Sequence, residues 1–255
     1  MEFKNIHVKV EGGIGEIIFD RPPLNVLNIE MMKEINQALK EFASEQSLKL
    51  VILSGAGKAF SVGVDVSEHT KDMVNEMITV FHEIFHNLNE IKVPTIAVVN
   101  GAALGGGCEV AIFCDIIIAS EKAKFGQPEI KVGVFPPLAA IMLPRLMDLK
   151  KALELILTGD IITAQEAKSL GLVNHVLPVE EFDDKKNEFI KKFTSLSGAI
   201  LKITKKSMYQ TFGLNYQEAI KSVEDLYLNE LMNTDDAIEG LQAFLEKREP
   251  IWKNR

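Results

Sequence analysis

A run of three glycines lies between an apolar strand and an apolar helix near the middle of the chain. Residues 104–109 read LGGGCE and open into the apolar segment Val110 to Phe113. Glycine has no Cβ, so another group can approach this backbone closely. A helix that starts at such a run presents unbonded N–H groups and the positive end of its dipole to whatever lies in front of it. The run therefore predicts a site for an oxygen that gains negative charge during a reaction.

Two glutamates lie close to this run in the sequence. Glu109 is flanked by Cys108 and Val110 in a segment that reads as buried, and Glu129 follows twenty residues later, after Pro128. Glutamate is rarely fully buried unless it is paired. Two carboxylates beside one turn rich in N–H donors predict acid–base chemistry on a polarised carbonyl. Simpler interpretations stay open: tight helix–strand packing for the glycines, a dipole contact for Glu109 and a solvated loop position for Glu129.

The composition narrows the function classes. The chain has 255 residues, of which 47% are hydrophobic and 25% charged, and its formal net charge is −8. This length allows one large domain with a sizeable core. The acids are spread along the chain without a basic stripe, which disfavours nucleic acid as a partner. Two cysteines without a CxxC spacing indicate a reducing compartment. With no signal-like start and no membrane-length apolar run, we predict a cytoplasmic protein that binds no membrane.

The order of elements indicates an α/β fold. A strand leads twice into a glycine-containing turn and a helix, first after Leu53 and again after Val99. This arrangement gathers loops at one strand edge, where ligands bind in such folds. Strand patterns end near residue 178. The rest is predicted as four helices near 179–193, 197–212, 215–231 and 234–247. We interpret them as a helical appendage that forms an oligomer interface.

Two segments resemble known motifs, a phosphate-binding loop and a metal site, but lack residues that these motifs need. The segment GAGK at residues 55–58 lacks the glycine that a phosphate-binding loop needs at Ile52 and the Ser or Thr that it needs at Ala59. A nucleotide hydrolase is therefore excluded, while Lys58 stays open as a phosphate contact or a solvated surface lysine. His82 and His86 lie one helical turn apart, but no third ligand accompanies them, and we predict no metal site.

Four stretches resemble the crotonase superfamily of enoyl-CoA hydratases and isomerases. They are residues 55–66, 100–130, 157–178 and 243–252, and together they span most of the chain. The resemblance implies an α/β fold, a spiral of repeated ββα units with a C-terminal helical region that trimerises. It implies a catalytic core over residues 1–195 and an oligomerisation region over 196–255. The expected assembly is a homotrimer or a hexamer built from two trimers.

The resemblance also assigns roles to individual residues. It implies acyl-CoA thioester substrates, with no cofactor besides the coenzyme A that the substrate carries. The backbone N–H groups of Val64 and Gly106 map onto an oxyanion hole, and Glu109 and Glu129 fall on the two glutamates of the hydratases. The implied contacts with coenzyme A are Lys58, Val64, Asp65, Val66, Ser67 and, from a neighbouring subunit, Lys247.

The expected activity is therefore addition of water to an α,β-unsaturated acyl-CoA. Glu129 is expected to supply the proton to carbon, and Glu109 to position and activate the water. The alternatives are a double-bond isomerase that uses one glutamate, and a non-catalytic member that binds acyl-CoA or RNA. The presence of both glutamates disfavours a non-catalytic role. The negative net charge of the chain disfavours RNA binding.

One segment departs from the usual hydratase pattern. Residues 134–140 read VFPPLAA where ordinary hydratases carry a glycine-rich turn. The loss of these glycines stiffens the backbone and adds bulk beside Glu129. Together with GVDVSEHT at residues 63–70, the segment is similar to cyclohexa-1,5-diene-1-carbonyl-CoA hydratases of anaerobic aromatic degradation. This similarity favours a cyclic dienoyl substrate over the linear substrates of fatty-acid degradation.

Overall fold

The computed structural model describes residues 3–255. The strands of this part of the chain are β1 (Ile6–Glu11), β2 (Ile14–Phe19), β3 (Leu50–Gly55), β4 (Ala59–Ser61), β5 (Thr95–Val99), β6 (Ala102–Leu104), β7 (Ile116–Ser120), β8 (Lys124–Gly126), β9 (Ile161–Thr163) and β10 (His175–Leu177). Its α-helices are α1 (Ile29–Ser44), α2 (Val74–Glu90), α3 (Gly106–Phe113), α4 (Pro137–Leu146), α5 (Leu149–Thr158), α6 (Ala164–Ser169), α7 (Phe182–Thr194), α8 (Gly198–Thr211), α9 (Tyr216–Asn229) and α10 (Asp235–Glu246).

The main sheet has six strands in the order β1-β2-β3-β5-β7-β10. The hairpin of β1 and β2 is antiparallel, and the other neighbours run parallel. The central strand β5 is buried along its whole length, as expected for a parallel strand covered on both faces. The carboxyl ends of β3, β5 and β7 lie at one edge, and the candidate site is built from the chain that leaves this edge.

A second, smaller sheet has the order β4-β6-β8-β9. Each of its strands is three residues long, which is too short for an alternating pattern, and the sequence did not predict them. After β3, β5 and β7, the chain enters β4, β6 and β8 respectively, and β6 leads directly into α3. A long strand, a short strand and a helix therefore repeat, in agreement with the predicted ββα units.

The predicted element boundaries need small corrections, of which one matters for function. Helix α3 begins at Gly106 and not at Val110, because the glycine run itself takes up helical geometry. Glu109 therefore lies in the first turn of a helix and not ahead of it. Helix α2 begins at Val74, and not at Lys71 as its apolar pattern predicts. The sequence also predicts Asn28 as the N-cap of α1, and the structure confirms it, because the Asn28 side chain accepts the N–H of Met31 at 3.1 Å.

Four α-helices follow residue 178, as the sequence predicted. Helix α8 lies on the main sheet of its own chain, where Lys205 Nζ donates to the carbonyl of Val93 at 3.0 Å. Large apolar side chains of this region remain open to solvent in the single chain, with exposures between 74% and 82% for Phe212, Tyr216, Phe244 and Leu245. Among residues 3–255, no helix is both long and apolar enough for a membrane crossing.

Replacement of Gly107 by alanine tests the close approach on which this fold depends. A Cβ at Gly107 would lie 2.4 Å from the Ser61 carbonyl oxygen and 2.7 Å from Ser61 Cβ. Alanine in a helix interior normally stabilises by about 1 kcal/mol relative to glycine. We expect Gly107→Ala to destabilise instead by about 1–3 kcal/mol, as overpacking does. Urea unfolding measures the difference.

Gly57→Ala is the matched control for this substitution. Gly57 has a φ of 72°, and a Cβ there would meet no atom within 4 Å. The control therefore reports only backbone strain, of about 1–2 kcal/mol. A Gly107→Ala protein as stable as the wild type would contradict the close packing.

Candidate active site

The glycine run makes a sharp turn that joins two parts of the site. Gly105 has a φ of 53°, donates its N–H to the carbonyl of Gly126 at 2.9 Å, and accepts the N–H of Glu109 at 2.9 Å. A Cβ at Gly105 would lie 2.7 Å from Oε1 of Glu129. Glycine is therefore required here, because of both its left-handed φ and the closeness of the Glu129 carboxyl group.

Val64 and Gly106 lie side by side. A Cβ at Gly106 would lie 2.8 Å from Cγ2 of Val64. Leu27 forms a parallel β-bridge with Val64: it donates its N–H to the carbonyl of Gly63 and accepts the N–H of Asp65. The N–H of Val64 takes no part in this bridge and points away from Leu27. Gly106 is the first residue of α3, so its N–H has no acceptor within the helix. Neither N–H has a hydrogen-bond acceptor within residues 3–255. The structure thus brings the two predicted oxyanion-hole residues together.

Glu109 lies in the first turn of α3 and is only 2% exposed. Its Oε1 accepts the backbone N–H groups of Leu138 and Ala139, each at 2.8 Å. Burial raises the pKa of Glu109 to about 7, and the nearby charge of Glu129 acts in the same direction, against the two N–H donors. Glu109 is therefore a carboxyl group that exchanges a proton near neutral pH.

Glu129 lies in a short 3₁₀ helix, Pro128–Val132, and is not a solvated loop acid. Its Oε1 is directed at the Gly105 turn. Its Oε2 is buried and has no hydrogen-bond partner within residues 3–255. Burial raises the pKa of Glu129 to about 6. The structure thus brings both predicted catalytic carboxyl groups to the glycine turn. The pKa of each is raised towards neutral pH.

The segment with two prolines fixes the first turn of α4 against Glu109. Pro137 is the first residue of α4, a position where proline is favoured because its missing N–H has no helical acceptor. Pro136 and Pro137 donate no hydrogen bond, so the first N–H groups of the turn are those of Leu138 and Ala139, and both go to Glu109. The sequence predicted bulk beside Glu129 but did not predict this contact. Phe135, at the start of the turn, is 66% exposed.

The segment predicted to contact coenzyme A follows Val64. The hydroxyl and the N–H of Ser67 donate to Oδ1 of Asp65 at 2.7 and 3.1 Å, and this contact holds the pKa of Asp65 below its usual value. Val66 is 64% exposed. The sequence missed Arg21, whose Nη2 lies 3.6 Å from Oδ2 of Asp65. The residues around Arg21 in the sequence do not indicate this contact, because Asp65 lies far from Arg21 along the chain.

The two predicted lysines lie in different places. The backbone of Lys58 lies against Gly101, between β5 and β6, since a Cβ at Gly101 would be 2.0 Å from the Lys58 carbonyl oxygen. Nδ2 of Asn100 fixes this loop through the carbonyls of Gly55 and Gly57, at 2.9 and 3.0 Å. Lys247 is exposed at the end of α10, which packs on α8.

A cavity of about 680 Å³ lies at the opposite end of α3, between α8 and the main sheet. Its lining includes three carboxylates, Glu90, Asp115 and Glu230. The least exposed of them is Asp115, which accepts hydrogen bonds from the N–H and hydroxyl of Thr95 and from the hydroxyl of Tyr209, and pairs with Lys205 at 2.7 Å. Because this carboxylate is fully engaged, we place the candidate active site at the glycine turn and not in the larger cavity.

Other reactive side chains offer no competing site. Burial raises the pKa of Cys108 and of Cys114 to about 12, so both thiols stay protonated and unreactive. Burial lowers the pKa of His82. No group of three or more histidine, cysteine or acidic side chains is placed to hold a metal ion in residues 3–255.

Comparison with known proteins identifies the family. A family model described as Enoyl-CoA hydratase/isomerase matches residues 9–255. A probable mitochondrial enoyl-CoA hydratase of Dictyostelium discoideum is 39% identical over 252 residues, which cover 96% of this chain and 89% of that protein. A short-chain-enoyl-CoA hydratase of Clostridium acetobutylicum is 35% identical over 267 residues and the full length of both chains.

The solved structures agree with this result. An enoyl-CoA hydratase from Bacillus anthracis superposes with a TM-score of 0.93 at 32% identity, over 99% of this chain and all of the other. The chain belongs to the enoyl-CoA hydratase/isomerase family, the crotonase superfamily. The comparisons confirm the predicted fold class and the predicted class of enzyme, an enoyl-CoA hydratase-type lyase.

The raised pKa of Glu109 makes stability depend on pH. In the unfolded chain this carboxyl group titrates near 4.5 and in the folded chain near 7, so the folded state keeps a proton that the unfolded state has lost. The stabilisation from that proton is complete below pH 4.5 and disappears as the pH rises through 7. We therefore expect the stability of the wild type, relative to Glu109→Gln, to fall from about pH 5 to about pH 8.

Urea unfolding at four pH values measures this difference. The glutamine keeps the Oε1 acceptor for Leu138 and Ala139 and removes only the titration. Glu83→Gln, at an exposed carboxylate of α2, controls for the loss of one charge. A stability difference between the wild type and Glu109→Gln that stays constant with pH would contradict the assignment.

Proposed function

We propose that this enzyme adds water to the double bond of an α,β-unsaturated acyl-CoA thioester. The observation that carries the proposal is the arrangement around Gly105. The buried Glu109 and the half-buried Glu129 both lie beside a turn whose neighbouring N–H groups, at Val64 and Gly106, have no acceptor in the described chain. Donors and acids in this geometry suit a carbonyl whose oxygen becomes negative.

The two N–H groups would stabilise the enolate. A conjugated thioester is a weak electrophile, and attack of water at its β-carbon moves an electron pair onto the carbonyl oxygen. Hydrogen bonds from Val64 and Gly106 to that oxygen act mainly on the transition state. The loss of one such donor typically lowers the rate on the order of 10²–10³-fold. Gly106 can serve because α3 begins there, with its dipole directed at the same oxygen.

The two glutamates would handle the protons. Glu109 removes a proton from water as the C–O bond forms, and Glu129 gives its proton to the α-carbon as the enolate collapses. A proton then passes from Glu109 to Glu129, through solvent, to restore the starting state. The N–H groups of Leu138 and Ala139 stabilise the ionised form of Glu109, but burial outweighs them and leaves its pKa at about 7, above the value of about 6 for Glu129. Both values lie near neutral pH, so either carboxyl group can hold or release a proton there, and the division of roles between base and acid is part of the proposal. The unpartnered Oε2 favours the protonated form of Glu129, which suits a donor.

Replacement of each glutamate by glutamine tests this mechanism. We expect Glu129→Gln and Glu109→Gln each to lower kcat on the order of 10²–10⁴-fold, because each removes one step of proton transfer. KM should change little, since neither oxygen binds the coenzyme A moiety. Steady-state kinetics with the preferred thioester measures both constants.

Glu83→Gln is the control, because it removes an exposed carboxylate of α2 that pairs with Lys40. It should retain the wild-type kcat. A Glu129→Gln enzyme with full hydratase activity would rule out the proposed role of that residue.

We further propose that the acyl group is a cyclic diene. The support is the stiff segment at residues 134–140, whose prolines fix α4 beside Glu109 and whose Phe135 is presented to solvent next to the site. A flat ring fills a wide, rigid pocket better than a linear chain does. The similarity of residues 63–70 and 131–140 to cyclohexadienoyl-CoA hydratases supports the same substrate.

Turnover of two thioesters side by side tests the substrate. We expect cyclohexa-1,5-diene-1-carbonyl-CoA to gain one water with a higher kcat/KM than crotonyl-CoA, as followed by mass spectrometry. Phe135→Ala should shift the ratio of the two kcat/KM values, and Val132→Ala, which also truncates an exposed apolar residue, should not.

Each other outcome of this experiment has a definite meaning. A water adduct mainly from crotonyl-CoA would assign the protein to linear substrates. A moved double bond at unchanged mass would make it an isomerase. Binding without turnover would make it a non-catalytic acyl-CoA-binding member.

Coenzyme A would lie along residues 64–67 in this proposal. The half-buried residues 64 and 65 and the exposed residues 66 and 67, with Arg21 beside Asp65, suit the pantetheine and the phosphates of coenzyme A. Lys58 is an exposed cation on the loop that packs against Gly101. No cofactor beyond the coenzyme A of the substrate enters the mechanism.

The assembly would be a homotrimer or a hexamer, formed through residues 196–255 on a core of residues 1–195. One exposed apolar surface lies on the C-terminal helices, at Phe244 and Leu245. A second lies on α4 and α5, at Ile141 and Leu157. Two different surfaces suit a head-to-tail ring. Lys247 would then reach coenzyme A in a neighbouring subunit. A monomer in sedimentation velocity would contradict this arrangement.

The buried, unpaired thiols of Cys108 and Cys114 support a cytoplasmic location.

A further inference from the structure

The side chain of Gln127 is buried without a partner. Gln127 is 1% exposed, and neither its Oε1 nor its Nε2 has a hydrogen-bond partner within residues 3–255. Buried polar side chains are nearly always hydrogen-bonded, because an unpaired amide loses its bonds to water and gains nothing in return. An amide in this situation indicates a partner outside the chain.

Gln127 also has no structural task that explains its burial. It occupies the N-cap position of the 3₁₀ helix Pro128–Val132, where a polar side chain often accepts a backbone N–H, but it makes no such bond. Asn100 is the useful comparison, since its Oδ1 is also unpartnered while its Nδ2 fixes two loop carbonyls. In the described chain, Gln127 is therefore the buried amide with neither end in use.

The second unpartnered group is a carboxylate oxygen two residues further along the chain. Oε2 of Glu129 is buried and has no hydrogen bond within residues 3–255. Gly126, which precedes Gln127, accepts the N–H of Gly105, so this short segment runs along the glycine turn. Oε1 of Glu129 is directed at Gly105, which leaves Oε2 as the oxygen on the buried side.

We propose that Gln127 is a positioning residue for Glu129, whose Oε2 accepts a hydrogen bond from Gln127 Nε2 through one buried water molecule. A buried water typically makes about three hydrogen bonds to groups that otherwise lack partners. Such a water would give partners to Nε2 of Gln127 and Oε2 of Glu129. The bridge holds the carboxyl group so that Oε1 is the oxygen that meets the substrate.

The bridge has a direct consequence for proton transfer. When Glu129 gives up its proton through Oε1, the negative charge spreads over both oxygens, and a donor at Oε2 stabilises it. Gln127 thus assists the loss of the proton without touching the substrate. The titratable groups of α3 on which the charge of Glu129 acts are Glu109 and Cys108, and the thiol of Cys108 stays neutral. This inference rests on the proposed hydratase function for its kinetic part, but not for the titration of Glu129.

Gln127→Met tests the proposal, because methionine fills nearly the same volume without an amide. The first readout is the titration of Glu129 by carboxyl-carbon NMR, with Glu129→Gln to assign the signal. We expect Gln127→Met to raise the pKa of Glu129, because the carboxylate loses its donor. This readout needs no activity, so it separates the bridge from the proposed reaction.

The second readout is kinetic. We expect Gln127→Met to lower kcat on the order of 10-fold, as loss of an outer-shell partner typically does, with KM unchanged and the pH profile of kcat moved to higher pH. In the Glu129→Gln background, the same substitution should lower kcat no further, because the two residues act as one unit.

Thermal unfolding completes the test. Methionine keeps nearly the buried volume and removes an amide that the fold itself does not bond, so Gln127→Met should keep a melting temperature close to that of the wild type. Asn36→Leu is the control, because Asn36 is a buried amide that is bonded at both ends, to Val80 and Asn87, and touches neither Gln127 nor Glu129. It should lose stability and keep the pH profile. An unchanged Glu129 titration in Gln127→Met would overturn the proposal, as would a loss of kcat that comes with lost stability and no shift of the pH profile.

Discussion

The close approach of other segments to the backbone of Gly105, Gly106 and Gly107 is the constraint on which the candidate site depends. A Cβ on these residues would meet, in order, the Glu129 carboxyl group, the side chains of Val64 and Phe81, and the backbone of Ser61. Three consecutive positions thus contact different parts of the chain at distances that no side chain allows. Since the same backbone begins α3, the segment that packs these parts together also supplies a free N–H and a helix dipole.

The environment of the two glutamates follows from what this packing leaves for each of them. Glu109 is enclosed beside the first turn of α4 and receives its first two available N–H groups. Oε2 of Glu129 accepts no hydrogen bond from the described chain. Burial raises the pKa of both groups, to about 7 for Glu109 and about 6 for Glu129, so both carboxyl groups can hold or lose a proton near neutral pH. The N–H groups at the start of α4 therefore do not decide which group is the acid; they hold Oε1 of Glu109 in one place beside the turn.

The sequence was informative where a pattern is long or chemically unusual. The periodic helices, the buried strands and the glycine run with its two glutamates were predicted from such patterns. The three-residue strands of the second sheet were missed, because three residues carry no period. The contacts of Glu109 with Leu138, and of Arg21 with Asp65, were missed because they join residues far apart in the chain. Gln127 was read only as part of a motif, since the lack of a partner is a property of the packed structure and not of the residue.

The unpartnered polar atoms point to the same region as the glycines. In the described chain, the buried side-chain atoms without a hydrogen bond belong to Asn100, Gln127 and Glu129, all within the segment that surrounds the turn. Elsewhere the fold satisfies its buried polar groups, as the four contacts of Asp115 illustrate. An unmade hydrogen bond lowers the stability of the fold, and that loss is recovered when water or a substrate completes the bond. The hydrogen bonds that this chain does not make are therefore as informative about its active site as those that it makes.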